Sequence, residues 1–335
     1  MALAETLQAS WYGTRGAPIW TCPLAWLYGG LTALRRALYR IGWLRSTRLA
    51  VPVVVVGNLT AGGTGKTPLT LALVEALIAR GWRPGVVSRG YGGTQREPAL
   101  LGDDPAPAQF GDEPCLIRAS GVPVAVGLDR PAAAALLLEA GCNVVIADDG
   151  LQHYALARDV EICVIDGARR FGNGRLLPAG PLREPLSRLR RVDFRVCNGA
   201  AGEDEYAMRL AGDTAVSLAD GAVRSLASFA GSPVHAVAAI GHPDRFFDSL
   251  RAHGLEVRGH AFADHHAFVP DDLAFGSQAA LLMTDKDAIK CRRFARPGWW
   301  RVPVRAELDP AFFDALCARI DAASVALRRL ALRGA

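Results

Sequence analysis

Lysine is nearly absent from this chain of 335 residues, occurring only at positions 66, 286 and 290. Arginine therefore carries almost all of the net charge of +5, and no nucleic-acid recognition motif accompanies it. We expect no nucleic-acid partner, which leaves an acidic membrane or a phosphorylated substrate as the match for this charge. The seven cysteines form no CxxC pair, so the pattern argues against a disulfide framework or zinc site and indicates reduced thiols in a cytosolic protein.

Charge is also missing from residues 17–34, a stretch that contains Trp20, Trp26 and Tyr28 and is followed by several arginines. Because the basic residues come after the apolar part, the stretch is not a secretory signal. Pro23 and the Gly29–Gly30 pair weaken the case for a membrane-spanning helix. We predict a helical segment over 1–48 that lies on a membrane surface; a helix that packs against the protein core is the alternative.

Residues 53–71, VVVVGNLTAGGTGKTPLTL, predict a buried strand, a glycine-rich turn and a helix. This is the P-loop arrangement, in which backbone amides cradle phosphates, a lysine reaches the β- and γ-phosphates and a hydroxyl takes Mg²⁺. Thr60 stands where the general pattern has glycine. The expected nucleotide-binding residues are Gly62, Gly63, Thr64, Gly65, Lys66, Thr67 and Pro68.

Strands and helices alternate from about 53 to 196, which predicts an α/β fold with a doubly wound parallel sheet. Arg89 follows a short strand, at the sheet edge where open sheets bind ligands, although a surface loop with a stray arginine explains it as well. Asp148 and Asp149 end another strand and are candidates to hold Mg²⁺; a charged turn is the alternative. Gln152 follows at the same edge.

Three other stretches carry candidate chemistry. Asp112 lies in GDEP, whose acids could also cap a helix. The arginine-rich loop 168–191 is predicted to be a lid over polyphosphate. His265 and His266 next to Asp264 do not favour zinc, because neighbours on an extended chain point in opposite directions. A general base and a structural cap both remain open for this pair.

The composition changes near residue 200, where short strands with an Asp220–Gly221 turn predict a β-hairpin. We therefore divide the chain into an N-terminal helical segment over 1–48, a P-loop domain over 49–198, a linker over 199–228 and a smaller α/β lobe over 229–335.

The motifs VGNLTAGGTGKTP, SRGYGG, GDEP, DDGLQH, PLREP, DHH and TDKDAIK occur in this order, and together they resemble the tetraacyldisaccharide 4'-kinase family of Gram-negative lipid A biosynthesis. Thr60 fits that family's own loop. The resemblance implies two α/β/α lobes joined by a β-ribbon. It also implies transfer of the γ-phosphate of ATP, with Mg²⁺, to the 4'-hydroxyl of a tetraacylated glucosamine disaccharide 1-phosphate. The expected location is the cytoplasmic face of the inner membrane.

The same resemblance implies roles for individual residues. Lys66 would act on the phosphates, Arg183 would offset transition-state charge, and Asp112 would be the catalytic carboxylate oriented by His265, with His266 as a neighbouring alternative. The remaining implied positions are Thr67, Asp148, Asp149 and Glu184 for Mg²⁺ and Arg89, Tyr91 and Gln152 for the lipid substrate. A membrane-associated P-loop ATPase that acts as a partner-regulating switch is the alternative function, although Ala61 stands where such proteins carry a second lysine.

Overall fold

The computed structural model describes residues 3–13, 16–276 and 279–334. Residues 1, 2, 14 and 15 of the predicted N-terminal segment, and 277, 278 and 335 of the predicted C-terminal lobe, lie outside the described residues. Two helices open the chain, α1 (Leu3–Tyr12) and α2 (Thr21–Arg40). Within the described ranges, neither these helices nor any later one is both long and apolar enough to span a bilayer.

The larger lobe is built on a sheet that has nine strands among the described residues. In chain order these are β1 (Val53–Gly57), β2 (Pro84–Ser88), β3 (Ala99–Leu100), β4 (Val124–Val126), β5 (Val144–Asp148), β6 (Val160–Asp166), β7 (Phe194–Asn198), β8 (Tyr206–Ala211) and β15 (Arg305–Leu308). Their spatial order is β15-β8-β7-β6-β1-β5-β2-β4-β3, with β3 and β15 antiparallel to their neighbours and the other pairs parallel. The helices of this lobe are α3 (Lys66–Ala79), α4 (Pro107–Phe110), α5 (Asp112–Arg118), α6 (Arg130–Glu139) and α9 (Pro310–Gly334).

Strand β1 shows why the sheet is buried on both faces. Its side chains alternate between two hydrophobic clusters, Val54 and Val56 in one and Val53 and Val55 in the other. A strand covered on both faces needs a continuous apolar run, and the four valines provide it. The P-loop therefore begins at the end of a central strand that has little freedom to move.

The described part of the smaller lobe has a six-stranded sheet in the order β10-β9-β14-β13-β11-β12. The strands are β9 (Thr214–Ser217), β10 (Val223–Ser225), β11 (Val234–Ala238), β12 (Val257–Ala261), β13 (Leu281–Thr284) and β14 (Trp299–Val302), and the helices are α7 (Pro243–Ala252) and α8 (Asp285–Cys291). The predicted α/β class, with a doubly wound parallel sheet and a second smaller α/β lobe, is confirmed.

The predicted hairpin with the Asp220–Gly221 turn is present, because β9 and β10 pair antiparallel, but a different pair of segments connects the lobes. Strand β8 belongs to the large sheet and β9 to the small one, and their antiparallel partners are β15 and β14. The segment between β8 and β9 and the segment between β14 and β15 therefore cross between the lobes side by side, as a ribbon. They pack closely, because a Cβ on Gly212 would lie 2.3 Å from the carbonyl oxygen of Pro303.

The C-terminal segment returns to the larger lobe. The sequence pattern predicts a small lobe over 229–335, whereas in the structure β15 joins the large sheet. Phe312, Leu316 and Ile320 of α9 are buried in the same cluster as α3. Such long-range packing leaves no local signal in the sequence.

Candidate active site

The loop between β1 and α3 has the geometry of a phosphate cradle. Gly62 and Gly65 have φ values of 102° and 95°, which glycine adopts at little steric cost. Among the described residues, the amides of 62–65 donate to no backbone or side-chain oxygen, so they are free to bind an anion. Lys66 and Thr67 begin α3 directly after the loop.

The carbonyl groups of this loop are held from several sides. The amide of Asn58 donates to the Gly62 carbonyl at 3.1 Å and that of Asn198 to the Thr64 carbonyl at 3.2 Å, while Arg169 donates to the Gly63 carbonyl at 2.8 Å. Fixing the carbonyls leaves the amide side of the loop open. The loop is therefore preorganised for phosphate before any ligand binds.

Asp148, the last residue of β5, is fully buried. Thr70 donates to its Oδ1 at 3.3 Å, while Oδ2 is buried with no hydrogen-bond partner among the described residues. Burial, followed by the negative charge of Glu113, raises the pKa of Asp148 to about 7. A buried carboxylate oxygen without a donor is suited to a cation.

Asp149 follows with a φ of 48°, in the left-handed region that aspartate tolerates better than most residues. Arg183 donates to both of its carboxylate oxygens at 3.0 Å, and the Lys66 ammonium lies 3.5 Å from Oδ1. Burial raises the pKa of Asp149, but the charges of Lys66 and Arg183 outweigh this and hold the pKa at about 2. The predicted phosphate lysine, lid arginine and second acidic residue thus meet at one point.

The residues present fit a magnesium ion. Magnesium prefers oxygen ligands, and in this class of site it is bound by one or two carboxylates, a hydroxyl and substrate phosphates. Asp148, Asp149 and Thr67 supply such groups beside the phosphate loop, and the unpartnered Oδ2 of Asp148 is the observation that favours an ion. The described residues hold no cluster of three or more His, Cys, Asp or Glu side chains that would bind a metal without help from a ligand.

Glu184 lies elsewhere, in a buried network that ties the arginine loop to α2. Its Oε1 accepts from Tyr154 at 2.6 Å and from Arg36 of α2 at 3.3 Å, and its Oε2 accepts from Gln152 at 3.3 Å. The structure therefore brings Glu184 and Gln152 together, and no contact of either residue with Asp149 is observed among the described residues. The predicted magnesium role of Glu184 gains no support from this arrangement.

Asp112 and His265 come from different lobes and meet. Asp112 is the first residue of α5, and its Oδ2 lies 3.2 Å from Nδ1 of His265, which has a φ of 62°. His266, in contrast, contacts Asp272 at 2.8 Å. A carboxylate paired with an imidazole is an arrangement that accepts a proton from a hydroxyl group.

The Asp112–His265 pair lies near the phosphate loop. A Cβ on Gly241 would lie 3.6 Å from the Gly63 nitrogen and 3.7 Å from Asp264 Oδ2, so Gly241 bridges the loop and the segment that carries His265. Among the predicted substrate residues, the Tyr91 ring packs 5.0 Å from that of His265 and is exposed, as is Arg89. Tyr91 is therefore next to the Asp112–His265 pair, while no contact of Arg89 with this pair is observed among the described residues.

Sequence reasoning did not identify three cations at this site. Lys286 and Lys290 of α8 lie next to the Asp112–His265 pair, the first 3.4 Å from His265 Nε2 and the second 3.9 Å from Asp112 Oδ2. Arg130 is buried and donates to the Asp148 carbonyl at 2.9 Å; burial lowers its pKa to about 10. The scarcity of lysine was a usable signal for the first two, whereas nothing local marks Arg130.

Comparison with known proteins agrees with this geometry. The sequence model of the family described as "LpxK: Tetraacyldisaccharide-1-P 4'-kinase" matches residues 17–321. A tetraacyldisaccharide 4'-kinase of Stenotrophomonas maltophilia (strain R551-3) is 54% identical over 330 residues, which cover 92% of this chain and 97% of the relative. One from Xanthomonas campestris pv. campestris (strain 8004) is 51% identical over 93% of this chain and 94% of its own length.

A solved structure is also similar, namely LpxK from Aquifex aeolicus in complex with ATP. The TM-score is 0.75 at 29% identity, over 89% of this chain and 97% of that one. These similarities extend over both lobes and confirm the resemblance drawn from the motifs. The chain belongs to the tetraacyldisaccharide-1-P 4'-kinase family.

Proposed function

We propose that this protein transfers the γ-phosphate of ATP to the 4'-hydroxyl of a tetraacyldisaccharide 1-phosphate in lipid A biosynthesis. The observation that carries the proposal is the meeting of Asp112 and His265 across the two lobes, next to a loop with free amides. A nucleotide switch needs the loop but has no use for a proton acceptor supplied by a second lobe. The comparisons likewise do not favour the ATPase switch.

The nucleotide phosphates would bind the amides of 62–65, with Lys66 at the β- and γ-phosphates. Arg183 and Lys66 now neutralise Asp149, so both cations already point toward the position of the triphosphate. Thr67, Asp148 and Asp149 would hold Mg²⁺. When bound, Mg²⁺ neutralises charge on the phosphate oxygens, which is a large part of what phosphoryl transfer needs.

Asp112 would take the proton. As the 4'-oxygen forms its bond to phosphorus and the bond to ADP breaks, the hydroxyl proton moves to the Asp112 carboxylate. His265 holds that carboxylate in place from the other lobe. Exclusion of water between the lobes would favour the sugar hydroxyl as acceptor over hydrolysis.

The lipid acceptor explains the surface of the N-terminal region. Ile19, Trp26 and Trp43 are 87%, 80% and 81% exposed, and Leu27, Leu31 and Leu34 of α2 are also exposed. Exposed apolar side chains on and beside one helix, with arginines nearby in the sequence, suit a helix that lies in a bilayer interface. We propose contact with the cytoplasmic face of the bacterial inner membrane through α2, where a four-chain lipid resides.

Helix α2 also contacts the site directly. The Tyr28 hydroxyl donates to the Arg183 carbonyl at 3.0 Å, and Arg36 pairs with the buried Glu184. The helix proposed to meet the membrane thus packs against the loop that presents Arg183. This contact supports the proposal, because the same helix would then meet both the lipid surface and the loop that carries Arg183.

The deciding experiment is phosphate transfer from γ-labelled ATP, with Mg²⁺ and detergent, to a tetraacyldisaccharide 1-phosphate. We expect a doubly phosphorylated lipid, and Lys66→Ala should abolish its formation. ATP hydrolysis without labelled lipid would instead support the ATPase switch. A preference for GTP over ATP would contradict the kinase assignment as well.

A further inference from the structure

The pair of lysines on α8 has no role in the proposed reaction so far. Lys286 and Lys290 lie on one side of a short helix of the small lobe, and their side chains are only 14% and 6% exposed. Buried lysines are rare unless they are paired. Lys286 contacts residues of both lobes, whereas the Lys290 ammonium also lies 4.9 Å from the ring of Phe268, which belongs to a hydrophobic cluster of the small lobe.

Lys286 is held by carboxylates of both lobes. Its ammonium lies 3.1 Å from Asp264 Oδ1, on the segment that carries His265, and 3.8 Å from Glu113 on α5. The same ammonium lies 3.4 Å from Nε2 of His265. The imidazole is therefore contacted at both nitrogens, by Asp112 at Nδ1 and by Lys286 at Nε2.

An ammonium group can only donate hydrogen bonds. A contact between Lys286 and Nε2 therefore requires a lone pair on Nε2, which places the ring proton on Nδ1. At Nδ1 that proton points at Asp112 Oδ2, 3.2 Å away. Asp264 Oδ1 lies 3.8 Å from Nε2, which is too far for it to accept a hydrogen bond from this nitrogen.

We propose that Lys286 is a positioning residue that fixes His265 in the Nδ1–H tautomer, so that His265 donates to Asp112 and leaves the remaining carboxylate lone pairs for the acceptor's proton. Lys290 also lies near this pair, since its ammonium is 3.9 Å from Asp112 Oδ2, donates to the His266 carbonyl at 3.0 Å and pairs with Asp287 at 2.8 Å. The proposal rests on the assignment of Asp112 and His265 made above.

The test compares Lys286→Met with Lys286→Arg in the full-length protein in detergent. We expect Lys286→Met to lower kcat at least about tenfold with the KM for ATP within about twofold of wild type, and Lys286→Arg to recover most of the loss. Arg292→Met is the matched control, because Arg292 also pairs across the lobes, 3.9 Å from Asp104, but at an exposed position. It should leave kcat unchanged.

The readout specific to the proposal is the tautomer of His265, followed by NMR of ¹⁵N-labelled histidine and assigned with His265→Gln. Wild type should show the proton on Nδ1, and Lys286→Met should move part of the population to Nε2–H. If Lys286→Met does not fold, Lys286→Gln replaces it, because a glutamine oxygen can accept from Nε2–H and permits the same change.

Normal kcat in these variants, or an unchanged tautomer, would overturn the proposal. Asp112→Asn separates this failure from failure of the proposed function. If Asp112→Asn is inactive and Lys286→Met is fully active, only the proposed role of Lys286 is wrong. If Asp112→Asn is active, the catalytic role of Asp112, on which the proposal for Lys286 rests, is wrong.

Discussion

Asp112 is the residue on which the chemistry depends most directly. Asp112→Asn keeps the size of the side chain but removes its capacity to take a proton, so we expect kcat to fall by about 10²–10⁴ while the Kd for ATP stays within about twofold. Single-turnover transfer and binding of a fluorescent ATP analogue measure the two quantities. Asp271→Asn, at an exposed position of the same lobe as His265, is the control. Equal losses of ATP binding and kcat would point to misfolding instead of chemistry.

His153 predicts how stability depends on pH. Burial, together with nearby arginines, lowers the pKa of His153 to about 4 from its ordinary value of 6.5, so the unfolded chain binds a proton that the folded chain does not. The contribution of His153 to the free energy of unfolding therefore rises with pH between about 4 and 6.5 and is constant above that range. Between pH 7 and pH 5 the contribution amounts to at most about 2 kcal/mol. Urea unfolding at both pH values should show that the free energy of unfolding decreases less from pH 7 to pH 5 in His153→Gln than in wild type. Equal decreases would contradict the lowered pKa of His153.

At the same scale, residues that form contiguous motifs were predictable and those that act through tertiary contacts were not. Lys66, Asp148 and Asp149 follow from a strand and the loop after it, because the end of a parallel strand fixes where such residues lie. The contact of Asp112 with His265 joins positions 153 apart in sequence and came only from the family resemblance. The network around Glu184, which includes Arg36 and Tyr154, had no sequence signal at all.

At the scale of elements, α2 combines two surfaces. One side contacts the arginine loop through Tyr28 and Arg36, and the other exposes large apolar side chains such as Trp26 and Leu27. Exposing apolar side chains to water costs free energy. Contact with lipid would remove this cost, so the exposed side of α2 favours an interface with lipid. The sequence predicts the same contact through an uncharged stretch followed by arginines, but it does not predict which residues face outward.

Trp26→Asp tests the outward surface. We expect binding to vesicles with 30% phosphatidylglycerol to weaken at least about tenfold, which corresponds to about 1.4 kcal/mol, because an interfacial aromatic is replaced by a charge repelled by acidic lipids. Transfer to detergent-dispersed lipid should change little. Val223→Asp, an exposed apolar position in the small lobe, is the control. Unchanged vesicle binding in Trp26→Asp would exclude α2 as the contact surface.

For the whole molecule, the topology makes the small lobe an insertion into the large one. The chain leaves the large sheet after β8, builds the small lobe and returns at β15, so two neighbouring strands join the lobes. The Asp112–His265 pair lies where the lobes meet. Its geometry consequently depends on how both lobes pack, which explains why the pattern of either lobe alone does not predict it.

This topology makes the far C-terminal part of the chain necessary for the nucleotide lobe. Phe312 of α9 is fully buried, with its ring 5.5 Å from Phe194 of β7 and 5.1 Å from Tyr206 of β8. Phe312→Ala removes these contacts and leaves a cavity, so we expect it to lower the free energy of unfolding by about 3–5 kcal/mol. Denaturant unfolding followed by release of a fluorescent ATP analogue reports on the lobe that binds nucleotide.

The neighbouring Phe313 is the matched control, because it is only partly buried on the same helix. Phe313→Ala should lower the free energy of unfolding clearly less than Phe312→Ala does. If Phe312→Ala left the midpoint of nucleotide release unchanged, α9 would not be part of the structural support of the nucleotide site. A large shift of this midpoint in Phe312→Ala would show that residues some 250 positions after the P-loop stabilise the lobe that contains it. This is expected if the small lobe is an insertion into the large one.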